Sequence, residues 1–349
     1  MTKVYPLKNK NIFLSQNLYL FFEKQIMPQL SNHFQSRKPS AIRTAQIEFM
    51  KKSDDTKAIN TAIWNVSLPA YPAMQKRMFN LQNENSPFKN GVVKYTATVW
   101  EKETNEAFLN IIRSSGFSTD WLYSQITDGG SQAMELITLG VCGDAWKDEN
   151  PLLLIDAAYT NYVAMADRVG RKTISVKRIL QDDGKFTLPD TAEIEKVIET
   201  EKPWAIVVIP YDNPTWQYYN LNAMKKIAEL CVKYNMRMIS DEAYRELYYT
   251  DEPVSSIRWI TNKEVPWIEW KRISIETSSK VWNACGLRIW AIITDNPEFH
   301  EKSVAENTAW LCSNSIGQYI FWALAHESHD NLKVRYTHNS AIFFIAFRL

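Results

Sequence analysis

Glycine is nearly missing from this chain. Ten of its 349 residues are glycine, and tryptophan, at 13, outnumbers it; an average protein carries about 7% glycine. A chain this long needs glycine for its turns and helix ends, so other residues must stand in those places. Cysteine is sparse as well. Cys142, Cys231, Cys285 and Cys312 are widely scattered, which excludes a disulfide scaffold or a zinc ribbon, leaves no metal site, and fits a reduced, cytoplasmic protein. Neither charge dominates: 40 Lys and Arg face 39 Asp and Glu, for a formal net charge of +1. That balance gives no electrostatic footprint for nucleic acid or an anionic membrane. Long apolar runs are missing too. "NIFLSQNLYLFF" near the start is broken by Ser, Gln and Asn, and "AIFFIAF" near the end is far shorter than the roughly 20 residues of a membrane span.

What the chain does contain is alternation. From residue 150 onward, "LLLID" (152–156), "AIVVIP" (205–210), "MRMIS" (236–240), "RISIE" (272–276) and "IWAIIT" (289–294) are continuous apolar runs of strand length. Between them, "DTAEIEKVIETE" and "NLNAMKKIAELCVKY" carry the i, i+3, i+4 spacing of amphipathic helices. Strands alternating with helices predict an α/β fold, a three-layer sandwich around a mainly parallel central sheet. Such sheets bind ligands beyond the carboxyl ends of their strands. The residues to inspect there are Asp156 to Tyr159, Asn213, Asp241 to Tyr244, Ser279 and Lys280.

Lys280 in "ETSSKVWNACGLRIW", Asp241 in "DEAYRELYY" and Asn213 in "DNPT" follow three successive apolar runs. Alone, the lysine reads as a solvated loop residue, and Asp241 as the N-cap of a helix over "EAYRELYY". Together and in this order, they resemble the class I/II aminotransferases, the fold-type I pyridoxal-phosphate enzymes. The resemblance runs from about residue 60 to 320. It implies that Lys280 holds pyridoxal 5'-phosphate as a Schiff base, that Asp241 pairs with the pyridine nitrogen, and that Tyr244 and Asn213 bond the ring's 3-hydroxyl. Thr277 and Ser279 match small hydroxyl positions near the phosphate, and Arg288 matches a phosphate-binding arginine. In "TDGGSQAMELI", Gly129 and Gly130 permit a tight turn, and a helix starting near Ser131 would aim free N–H groups at an anion. Gly130, Ser131 and Gln132 match the family's phosphate-holding positions. Tyr159 matches the aromatic that stacks on the ring, or is an ordinary buried tyrosine. Tyr95 resembles the tyrosine that reaches the phosphate of a neighbouring subunit in a homodimer, or is a surface tyrosine.

The chemistry suits those residue types. A carboxylate beside the ring nitrogen keeps it protonated, the protonated ring withdraws electrons from substrate Cα, and a lysine amine is placed to move the Cα proton. The expected activity is exchange of an amino group between an amino acid and a 2-oxo acid by a ping-pong route. The same scaffold hosts lyases and synthases, and a non-catalytic truncated remnant is a reading of another class. The expected organisation is an N-terminal arm with part of a small domain over 1–70, a large cofactor-binding domain over 71–325, and a truncated or frameshifted start of the C-terminal small domain over 326–349. The family's pattern fades after "YIFWALAHESHDNLKVRY". Neither Arg335 nor Arg348 sits in the motif of the arginine that binds the substrate carboxylate.

The resemblance also shows where glycine is missing. Trp216 follows Asn-Pro-Thr where the family has Gly, Trp290 stands two places after Arg288, Trp100 follows the Tyr95 segment, and Trp64 lies in the loop that admits substrate. Trp146, Trp204, Trp267, Trp270 and Trp322 also sit in glycine-like contexts, whereas Trp282 does not. A side chain forced into a φ > 0 turn costs about 1–3 kcal/mol, and several such turns approach a whole domain's stability of about 5–15 kcal/mol. The expectation is a UGA codon that the source reads as glycine, rendered here as tryptophan.

Overall fold

The structure, a computed structural model, describes residues 29–57, 68–97 and 101–337. Trp64, Trp100, Arg348, "NIFLSQNLYLFF" and "AIFFIAF" lie outside the described residues. Two compact units divide the chain, Met1–Trp64 and Asn65–Leu349. In the first, helices α1 (Asn32–Ser36) and α2 (Ala41–Met50) are capped by the hydroxyls of Ser31 and Ser40, which accept from Phe34 N and Arg43 N. No side chain on either helix is buried.

The second unit is an α/β fold around one seven-stranded sheet. Its strands are β1 (Tyr123–Asp128), β2 (Leu152–Asp156), β3 (Thr173–Lys177), β4 (Ala205–Val208), β5 (Arg237–Asp241), β6 (Arg272–Thr277) and β7 (Ile289–Thr294), in the order β1-β7-β6-β5-β4-β2-β3. β7 runs antiparallel to both its neighbours, and the other pairs are parallel. The helices are α3 (Pro72–Phe79), α4 (Lys102–Ser114), α5 (Gly129–Val141), α6 (Asn161–Arg168), α7 (Thr191–Glu201), α8 (Leu221–Lys233), α9 (Pro297–Asn307) and α10 (Ser315–Phe321).

Both faces of the sheet are covered, which is why the strands read as continuous apolar runs. Leu152 and Leu154 of β2 pack into one cluster with Phe108, Ile111 and Ile112 of α4 and Ala133, Met134 and Ile137 of α5. Leu153 and Ile155 point the other way, into a cluster with Ile194 and Ile198 of α7 and Met224, Ile227 and Cys231 of α8. Both helices expected on that side form, capped by Asp190 and Asn220.

Two strands carry no apolar run. β1 is "YSQITD", whose Ser124, Gln125 and Thr127 are buried polar residues; β3 is a sheet edge with one buried residue, Val176. The helix expected over "EAYRELYY" does not form; residues 243–246 are turns. Glu242, Arg245 and Glu246 are all buried there, and Arg245 pairs with Glu276 (2.9 Å) and Glu246 (2.5 Å). A helix over this segment would need a solvated face, and these charges are spent inward instead. Among the described residues, no helix is long and apolar enough to cross a membrane, and no group of His, Cys, Asp and Glu is placed to hold a metal.

Candidate active site

Strand direction gathers the expected residues at one sheet edge. Asp241 ends β5, Thr277 ends β6, and the chain leaving β4 and β2 reaches Asn213 and Tyr159. β7 runs the other way, so Arg288, which precedes it, arrives at the same edge. β1 ends at Asp128 opposite Ile289, and α5 begins at once with Gly129.

Asp241 is the electrostatic centre of the group. Its Oδ2 accepts from Tyr162 OH (2.6 Å) and its Oδ1 from Ala243 N (3.1 Å), so it closes a local turn and caps no helix. Burial pushes its carboxyl up to about 6, a rise that Glu276 reinforces and that Tyr162, Ala243 and Lys280 oppose. Burial also pulls the Lys280 amine below the usual lysine range, against the attraction of Cys285 and Asp241. Tyr244 OH accepts from Asn213 Nδ2 (3.2 Å), the pair expected around the ring hydroxyl. Burial and nearby Asp241 raise Tyr244's pKa, keeping the phenol protonated. Tyr159 is half-buried, edge-on to Tyr162 with ring centres 5.3 Å apart, and feels both Asp241 and Arg288.

One side chain fixes two of the loops that carry these residues. Arg178, just after β3, is fully buried and pairs with Asp212 (2.8 Å). It also donates to Thr215 Oγ1 (2.9 Å) on the Asn213 turn and to Ala157 O (2.8 Å) on the Tyr159 loop. Asp212 in turn accepts from the Thr215 hydroxyl. The sequence reading missed Arg178, Asp212 and Tyr162. Recognising β3 would have placed Arg178 at a strand end, where a buried arginine is informative.

The end expected to hold an anion is built from α5 and the segment before β7. Gly129, at φ +82°, starts α5, and a Cβ there would overlap the Arg288 guanidinium. The guanidinium and the N–H groups of this helix start therefore lie together only because residue 129 is glycine, an arrangement that suits an anion. The helix starts two residues before Ser131. Ser131 is exposed, while the buried Gln132 side chain is held by Asp128 N (2.5 Å) and Asn307 (3.0 Å), leaving its backbone for any ligand role. Thr277 Oγ1 accepts from Ser279 N (2.8 Å). The residues fit a phosphate-bearing pyridine cofactor except at position 290. The Trp290 indole donates to Ser279 Oγ (2.9 Å) and lies within 2.5 Å of where a Cβ on Gly130 would sit. Trp216 stands edge-on to Tyr244, 5.8 Å between ring centres. Tyr95 is 81% exposed on an irregular segment.

Comparison with known proteins agrees with this fold. The chain matches the family "Aminotransferase class I and II" over residues 124–346, beginning later than residue 60 and running past Tyr336. It is 25% identical over 234 residues to human kynurenine–oxoglutarate transaminase 3, covering 61% of this chain and 49% of that protein. It is 29% identical over 202 residues to aromatic-amino-acid aminotransferase 1 of Thermococcus litoralis, covering 56% of this chain and 44% of that one. The chain thus spans about half the length of these curated relatives. Among solved structures, a Thermus thermophilus aspartate aminotransferase double mutant superposes with a TM-score of 0.73 at 18% identity, covering 90% of this chain and 77% of that chain. The aspartate aminotransferase of Thermotoga maritima gives 0.73 at 19% identity, covering 92% and 80%. At such identity the structures speak for the fold alone, and the family match speaks for descent: this chain belongs to the class I and II aminotransferases.

Proposed function

We propose that the chain is the catalytic core of a pyridoxal-phosphate-dependent aminotransferase, exchanging an amino group between an amino acid and a 2-oxo acid by a ping-pong route. The observation that carries this reading is the gathering of a buried carboxyl, an Asn–Tyr pair and a lysine with a lowered pKa at one sheet edge. When bound, the cofactor supplies an electron-withdrawing ring next to the substrate Cα. The protein's residues do the rest. Asp241, whose carboxyl is pushed up to about 6 by burial, would hold the ring nitrogen, and a positive charge there would favour its ionised form. Asn213 and Tyr244 orient the ring through its hydroxyl, and Tyr159 supports its face. Lys280 would anchor the cofactor, and its amine is the group that would move the substrate's Cα proton; burial, by lowering its pKa, favours the neutral amine that can accept it. The backbone amides of Gly130, Ser131 and Gln132, the hydroxyls of Thr277 and Ser279, and Arg288 hold the phosphate. We place Tyr95 at the phosphate of a second copy in a homodimer, and the enzyme in the cytoplasm.

The test is stoichiometric. Incubated with the cofactor, an amino acid and a 2-oxo acid, the protein should make one new amino acid per 2-oxo acid consumed. Ammonia release without a new amino acid would indicate a lyase on the same scaffold. Borohydride should fix a pyridoxyl group on the Lys280 peptide, and Lys280→Ala should lose both that label and turnover. A second reading, a non-catalytic remnant, draws on Trp290, whose indole stands against Gly130; a chain that binds no cofactor at any concentration would favour it.

A further inference from the structure

Five tryptophans of this chain behave conformationally as glycines. Of the 13, 11 lie in the described residues, and five of those 11 have positive φ: Trp121 (61°), Trp146 (63°), Trp216 (56°), Trp267 (71°) and Trp270 (71°). The glycines divide the same way, with Gly91, Gly116, Gly129, Gly170 and Gly184 in that region out of ten. All other described residues together contribute six, and three of these are Asn150, Asn235 and Asn283, the type that tolerates left-handed backbone best among residues with a side chain. A bulky side chain at φ > 0 is a genuine outlier, and no other residue type here is enriched to this degree.

Packing does not account for it. Trp121, Trp146, Trp267 and Trp270 are between 65% and 84% exposed, so burial of the indole does not hold the backbone in that region. Trp146 lies in the turn that Lys147 N closes on Asp144 O (3.3 Å); its own N–H reaches across to Gly170 O (2.7 Å), and its ring crowds the space where Gly170 would carry a Cβ. The other tryptophans provide the contrast. Trp282 is 1% exposed and edge-on to Tyr71 (5.6 Å) and Tyr336 (5.8 Å), a core residue in every respect. Trp322 ends α10 with φ −65°, packs on Tyr319 (5.1 Å) and lies under the Arg77 guanidinium (5.4 Å), so its glycine-like sequence context misleads. Trp121, which the sequence reading passed over, joins the glycine-like set.

We infer that positions 121, 146, 216, 267, 270 and 290 are glycine in the protein as its own cells make it, through UGA codons read as glycine. Position 290 joins by a separate observation: it is a strand residue whose indole fills the space between Gly130 and Ser279. With glycine at 290 the helix start, the two hydroxyl positions and Arg288 face an open cradle, and with glycine at 216 the neighbour of Tyr244 is backbone alone.

The experiment compares three chains by thermal unfolding and soluble yield: the chain as written, its W121G/W146G/W216G/W267G/W270G variant, and the matching five-fold Trp→Ala variant. Alanine removes the exposed indoles but keeps a Cβ at positive φ, so it separates backbone conformation from surface greasiness. The glycine variant should melt roughly 10 °C or more above the chain as written and clearly above the alanine variant, whereas W282G should melt lower. Equal midpoints for the glycine and alanine variants, or no gain over the chain as written, overturn the inference. If the chain as written does not fold, the glycine and alanine variants still decide it between them. Peptide masses of the protein from its own cells should show glycine at 216 and 290 and tryptophan at 282; tryptophan at 216 ends the proposal. The cradle is tested apart, by titrating pyridoxal phosphate into the glycine variant with and without W290G and following absorbance. At least a tenfold gain in affinity is expected. A gain in melting without a gain in affinity would place the error at position 290 and in the phosphate-site reading, leaving the five turns standing.

Discussion

Burying Asp241 makes its protonation a property of the fold. Its carboxyl is raised from 3.8 to about 6, so below pH 3.8 it is neutral whether the chain is folded or not, and the folded state loses nothing. Between 3.8 and 6 the unfolded chain ionises first, and stability falls as pH rises, levelling off above the folded value. At about 1.4 kcal/mol per unit the loss reaches about 3 kcal/mol. Asp241→Asn has no such group to ionise. Urea midpoints of the two cofactor-free proteins should therefore diverge between pH 3.5 and 7 in favour of the variant, and parallel profiles would show that the carboxyl is not buried as described. With cofactor present the ranking of functions differs: Asp241→Asn should retain the cofactor and lose most of the rate. Arg288→Ala should instead loosen the cofactor roughly tenfold or more, the worth of a charge-assisted bond of about 1.5–3 kcal/mol. Equilibrium titration beside single-turnover rates separates the two.

At the scale of elements, the Tyr159 loop and the Asn213 turn are joined through one guanidinium. Arg178→Met leaves Asp212 buried without its partner and should cost about 3–5 kcal/mol, while adding Asp212→Leu should return most of it; denaturant unfolding of the single and double variants checks both. A double variant as unstable as Arg178→Met would mean that the bonds to Thr215 and Ala157, and not the ion pair, hold the loops. This clamp also marks how far the sequence could be read. β2 and β7 were legible to the residue because both their faces are covered and every position but the last is apolar, and β4, β5 and β6 nearly so. β1 was not, because its buried positions are Ser124, Gln125 and Thr127, and β3 was not, because a sheet edge buries only Val176. The same limit applies to the candidate site. Residues one turn beyond an apolar run, such as Asn213, Asp241 and Lys280, could be found by position along the chain. Arg178 and Tyr162 act across 34 and 79 residues, on Asp212 and Asp241, and no spacing rule connects them. The segment after Asp241 misled for a related reason, since its helix-like spacing conceals charges that all turn inward on Arg245.

For the whole molecule, the proposed homodimer has a surface to point to. "GVVKY" at 91–95 leaves Val92, Val93 and Tyr95 each at least half exposed in one run, more apolar surface than a solvated loop ordinarily shows. Sedimentation should give twice the chain mass of 40.6 kDa, and Val93→Asp should shift the protein toward the single-chain mass; a 40.6 kDa species at micromolar concentration would remove the subunit-spanning role of Tyr95. The sheet order has a further consequence in time. Among the described residues β1 pairs with β7 alone, so when Tyr123–Asp128 leaves the ribosome that partner is still unmade, and every residue from 129 to 288 must be translated before Ile289 can meet Asp128. Through all of that synthesis β1 is an open edge, and β2 to β6 can already stack in parallel without it. The nascent chain thus builds the half that carries Asn213 and Asp241 first and completes the half that carries Arg288 last, with the helix start at Gly129 waiting on the final strand to bring Arg288 beside it.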